Sequence, residues 1–126
     1  FSKESILSLG QVYLKKEELE KALFYLDKIK EEHQSDSLFV INLATAYLKT
    51  QRLEDAKNIL QVFLAKNYEC ATMRGLLGAV FFVERDFSNA KKEWETALQL
   101  NLDEPLAKKG IEEIRKSEER RKTEEK

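Results

Sequence analysis

Outside the acids and bases that any charged surface carries, two side chains could do chemistry near neutral pH. They are His33 and Cys70, each the only one of its type. A zinc site needs three or four ligands, and a hydrolytic triad needs a base beside a nucleophile. One histidine in the polar stretch "KEEHQSDS" (30–37) and one cysteine supply neither. Cys70 cannot form an internal disulfide, and it reads as a small buried apolar residue near a helix start rather than a reactive thiol. The 23 carboxylates make some close pair inevitable. General acid–base work, however, needs a pocket that shifts their pKa values, and most stand beside Lys and Arg on helix positions that face water. No glycine-rich phosphate loop and no metal-ligand spacing is present. The residues therefore point away from an enzyme, and no cofactor or metal is expected.

The elements that position these residues follow from composition. Twenty-two basic and 23 acidic residues are interspersed, giving a net charge of −1. No segment concentrates cations as a phosphate-tracking surface would, so nucleic acid is not expected as a partner. The apolar run "LLGAVFFV" (76–83) is far shorter than the roughly 20 residues of a membrane span, and no signal-peptide pattern opens the chain. The start at Phe1 is that expected of a fragment or processed form. A soluble, cytoplasmic chain is expected, with the periplasm or a membrane periphery as the alternatives that a truncated start leaves open. One proline, four glycines and plentiful Leu, Ala, Lys and Glu predict nearly continuous helix.

The sequence repeats without insertion or deletion when residues 3–36, 37–70 and 71–104 are laid beneath one another. The seventh column reads Leu9, Leu43, Leu77, and the eighth reads Gly10, Ala44, Gly78. The eleventh is Tyr13, Tyr47, Phe81, and the seventeenth Leu19, Leu53, Phe87. Ala22, Ala56 and Ala90 form the twentieth, and Leu26, Leu60 and Trp94 the twenty-fourth. Positions 4, 7, 8 and 11 share one helical stripe, and positions 20, 24 and 27 share another. The polar breaks "KKEE" (15–18), "KTQR" (49–52) and "ERD" (84–86) separate them, which predicts an antiparallel helical hairpin per repeat. The small eighth column should face the alanines of the twentieth where two backbones nearly touch. The eleventh-column aromatics should fill the space between one hairpin and the next.

These columns resemble the tetratricopeptide repeat, a helix–turn–helix unit of about 34 residues. The resemblance implies an all-α fold, an α-solenoid in which antiparallel hairpins wind into a right-handed superhelix. It places three repeats in residues 1–104 and a C-terminal capping helix in 105–126. Departures from the family pattern are Arg74 in the fourth column after Ile6 and Val40, no proline in the thirty-second, and Ile29 and Phe63 before Ala97 in the twenty-seventh.

Helices are predicted at roughly 3–15, 19–32, 37–49, 53–66, 71–84, 87–100 and 104–122. Asp36 or Ser37 should cap the third. Asp103 should cap the seventh, with Pro105 in its first turn, where a missing amide hydrogen does little harm. Leu106, Ala107, Ile111 and Ile114 give that helix one apolar side. The tail "RKSEERRKTEEK" (115–126) has none, with Glu118 and Lys122 at i,i+4. It reads as a solvated, fraying helix, with a charged docking tail as the alternative.

Positions 2, 5, 6, 9, 12 and 13 of the first helix line the concave groove of the family. By that resemblance the first repeat supplies Glu4, Leu7, Ser8, Gln11, Leu14 and Lys15. The second supplies Leu38, Ile41, Asn42, Thr45, Leu48 and Lys49, and the third Thr72, Gly75, Leu76, Ala79, Phe82 and Val83. The expected partner-binding set is these residues without Glu4, Ser8, Thr72 and Gly75. The groove is thus mostly apolar, suited to an extended or helical segment of another protein. A basic clamp that holds the terminal carboxylate of chaperone peptides is matched at Asn42 alone. Its other positions hold Leu7, Gln11, Thr72 and Leu76. The alternative reading is structural: part of a longer solenoid, or a self-associating scaffold. Phe82 and Val83 could also be covered by the last helix.

Overall fold

The computed structural model describes residues 19–33, 35–66 and 70–124. Among them the regular structure is entirely helical: α1 (Leu19–His33), α2 (Ser37–Lys49), α3 (Leu53–Lys66), α4 (Ala71–Val83), α5 (Phe87–Leu100) and α6 (Pro105–Glu124). None of these helices is long and apolar enough to cross a membrane. The helix predicted over 3–15 lies outside the described residues, as do Gly10 and Tyr13. The chain forms two compact units, Phe1–Asn67 and Tyr68–Lys126.

Local chemistry sets the helix ends. Asp36 caps α2, its carboxylate accepting from the Phe39 amide at 3.1 Å, and Asp86 caps α5 by accepting from the Asn89 amide at 3.3 Å. The hairpin turns after α2 and α4 share one device. Gln51 and Arg85 both adopt left-handed backbone, with φ of 64° and 66°. In each case the following amide reaches back to the helix, Arg52 N–H to the Tyr47 carbonyl at 2.8 Å and Asp86 N–H to the Phe81 carbonyl at 2.9 Å. The polar breaks "KTQR" and "ERD" are these turns, and "KKEE" lies outside the described residues.

In the first unit α2 packs between α1 and α3. Phe39, Leu43 and Ala44 of α2 are buried, as are Ala56 and Leu60 of α3 and Leu23 and Leu26 of α1. Ala44 and Ala56 thus both lie inside, as the small columns require. Tyr47 is buried and spans two successive hairpins, its hydroxyl donating to the Asp27 carboxylate on α1. Arg52 completes the network, donating to Asp27 at 3.2 Å and Asp55 at 2.9 Å, with its guanidinium 4.7 Å from the Tyr47 ring centre. Burial, and then the hydrogen bond to Asp27, push the Tyr47 phenol well above its ordinary pKa.

The second unit is organised around Trp94 of α5. Its pyrrole edge lies against Gly78 of α4 and its benzene edge against Gly110 of α6; a Cβ at either glycine would overlap the ring. The close neighbour of Gly78 is therefore the twenty-fourth-column tryptophan, although Ala90 is fully buried as expected. Ala97, Ala107 and Ile114 complete this core, with Phe81 and Ile111 packed against it. Arg74, the departure in the fourth column, is held by Glu93 of α5 at 2.9 Å.

Two expectations are corrected here. The side chain that caps α6 is Glu104, not Asp103: its carboxylate accepts from the Ala107 amide at 2.7 Å and is only 3% exposed. Asp103 stays in solvent, 3.8 Å from Lys108. Glu104 wins because Gly75 of α4 leaves room for it; a Cβ on Gly75 would strike the carboxylate. Glu118, expected to pair with Lys122, instead lies 3.9 Å from Lys91 of α5. A packed neighbouring helix offers a nearer ammonium than the next turn does. Residues 115–123 are exposed throughout, yet helical to Glu124.

Candidate functional site

The residues expected to meet a partner fall on stripes of α2 and α4. Leu7, Gln11, Leu14 and Lys15 lie outside the described residues.

On α2, Leu38, Ile41, Asn42, Thr45, Leu48 and Lys49 follow one another at spacings that share a helical face. They are not equally available. Leu38 is 49% exposed and Lys49 is exposed, whereas Ile41, Asn42, Thr45 and Leu48 are half-buried. The Thr45 hydroxyl donates to the Ile41 carbonyl of its own helix at 2.7 Å. That bond spends its donor and leaves a methyl group and an acceptor. Asn42 differs from its neighbours: its amide nitrogen is buried and has no hydrogen-bond partner among the described residues. Such a donor costs about 1–3 kcal/mol of desolvation while unmatched.

On α4 the stripe is graded. Leu76 is 6% exposed and belongs to the core of its unit, so it presents almost no surface. Ala79 and Phe82 are half-buried against the Trp94 cluster. The Phe82 ring lies 5.2 Å from that of Phe87 and 5.6 Å from that of Trp94, centre to centre. Val83 is exposed. Sequence reasoning missed the packing role of Gly75 because its signal is Glu104, a residue far along the chain whose carboxylate turns inward only once α6 folds back.

Cys70 and His33 stand at helix ends. Cys70 is half-buried rather than fully buried, at the N-cap position of α4, where its side chain makes no capping bond. His33 closes α1 with its ring 5.5 Å from that of Phe39. Among the described residues no three His, Cys, Asp or Glu side chains gather closely enough to hold a metal ion.

Solved structures share this arrangement. The Sgt2 TPR domain from Aspergillus fumigatus superposes with a TM-score of 0.81 at 20% identity, over 94% of this chain and 81% of that one. The first TPR domain of human RPAP3 gives 0.81 at 19% identity, over 95% and 94%. The fold is that of a tetratricopeptide-repeat domain. A third such domain, the first TPR of Spaghetti (RPAP3) bound to the HSP90 peptide SRMEEVD, gives a TM-score of 0.78 at 20% identity, over 90% of each chain. No protein-family model matches the sequence, and no curated protein matches it.

Proposed function

We propose that this chain is a non-catalytic interaction module that binds a peptide or helical segment of another protein. The observation that carries the reading is the apolar face of α2, where Leu38 is 49% exposed beside half-buried Ile41 and Leu48. A partner laid along that face supplies apolar side chains to Leu38, Ile41 and Leu48. That a neighbour of this fold, the first TPR of Spaghetti, is bound to a peptide supports an interaction role in general.

The partner segment is read as apolar rather than carboxylate-ended, because Leu7, Gln11, Thr72 and Leu76 stand where clamp cations and amides would be. Affinity capture from the native cell tests the reading. The parent chain should retain a protein partner that Leu38→Glu and Leu48→Glu lose, with helical circular dichroism unchanged. Undiminished capture by both variants contradicts it. Sedimentation at several concentrations separates this from the scaffold alternative, which requires self-association.

A further inference from the structure

Within the second unit a cleft of about 420 Å³ opens where the start of α5 meets the second half of α6. Its volume lies in the range of sites that accept a side chain or small ligand, about 300–1,000 Å³. The floor is apolar, made by Phe82, Phe87 and Ile114. Phe87 is 44% exposed while its ring packs edge-on against that of Phe82, 5.2 Å between centres. The outer wall is the stretch of α6 that has no packing face, exposed from Arg115 to Thr123 yet helical. A helix segment that is polar all round gains little from propensity alone.

The charges on the rim choose the occupant. Lys91 and Glu118 face each other at 3.9 Å and largely cancel. Arg120 and Arg121 also line the cleft and form no ion pair among the described residues, leaving Glu113 as the one further acid on the rim. The cleft therefore offers an apolar hole beside two guanidinium groups without an ion-pair partner among the described residues, donors shaped for carboxylates. We infer that this cleft is a second docking site, distinct from the α2 face, that takes an acidic segment of a partner protein carrying one bulky apolar anchor. The anchor enters between Phe87 and Ile114, and Asp or Glu side chains flanking it bind Arg120 and Arg121. Docking would hold the exposed end of α6 against its unit.

Fluorescence anisotropy of labelled seven-residue peptides tests this on the full chain. The peptides have blocked termini, so no free carboxylate contributes. One has a central phenylalanine among aspartates, a second has serine at the centre, and a third has lysines in place of aspartates. The first should bind saturably. Affinity should fall by roughly tenfold or more with the serine or lysine peptide, and equally with the doubly substituted Arg120→Glu/Arg121→Glu chain. Phe87→Ser should weaken it too, while Leu38→Glu should leave it unchanged. Lack of saturable binding overturns the inference, as does equal binding of the lysine peptide or of the arginine variants. Concentration-dependent dimerisation abolished by Phe87→Ser would overturn it as well, assigning the cleft to a second copy.

Discussion

The indole nitrogen of Trp94 donates a 2.9 Å hydrogen bond to the carbonyl oxygen of Gly75, one helix away. The same ring is wedged between Gly78 and Gly110, so one side chain fastens three helices of the second unit. The glycines are there for the space above them. Gly78→Ala should cost about 1–3 kcal/mol, read as a lower urea midpoint with an unchanged slope. Gly110→Ala should cost a similar amount. The double variant should depart from additivity, because both methyl groups push on one ring.

Gly75 and Glu104 form a second such pair. Alone, Gly75→Ala should destabilise by about 1–3 kcal/mol through its clash with the carboxylate. Glu104→Ala alone should cost about 0.5–2 kcal/mol through loss of the α6 cap. In the double variant the clash is gone, so the combined loss should be smaller than the sum. Chemical denaturation of the four proteins measures the coupling.

The left-handed turns make a prediction of opposite sign. Gln51 and Arg85 sit at φ values that cost an L-residue about 1–2 kcal/mol and glycine almost nothing. Gln51→Gly and Arg85→Gly should each stabilise by about 0.5–1 kcal/mol after the extra backbone entropy of glycine is subtracted. Thermal melts should show both midpoints rising.

Tyr47 should impose a pH dependence. Its folded-state pKa lies above that of the unfolded chain, about 10, so the protonated phenol contributes stability that is intact below that pH. The contribution is lost as pH rises past that value, because ionising the phenol in place buries a charge and, next, sets it against Asp27. Tyr47→Phe should therefore cost about 1–3 kcal/mol near neutrality, and its stability should fall less steeply than that of the parent on the alkaline side. Parallel slopes in urea titrations across that range would count against the network.

These sites differ in how far the sequence betrayed them. The repeat columns predict the described helices to within a residue or two, because each helix carries its own stripe and its own polar break. Asp36 was readable as a cap because it stands next to its helix. Glu104 was not, since an acid beside another acid, Asp103, is resolved only by the space over Gly75. The pairing of Arg74 with Glu93 and the wedge on Trp94 are likewise contacts between helices, which a period along one chain does not encode. Among partner-binding candidates the stripe on α2 was legible as a stripe. That Leu76 turns inward while Phe87 is left in solvent depends on how α6 folds back over α5.

The central claim is that the α2 face meets another protein. A photo-crosslinking residue introduced at Leu38 in the full chain, irradiated in the native cell and read by mass spectrometry, tests it most directly. The account predicts a crosslinked protein whose attached segment is apolar, and none from the same residue at Glu54, which is exposed on α3. Crosslinks that are equal at the two positions, or confined to Glu54, would contradict it.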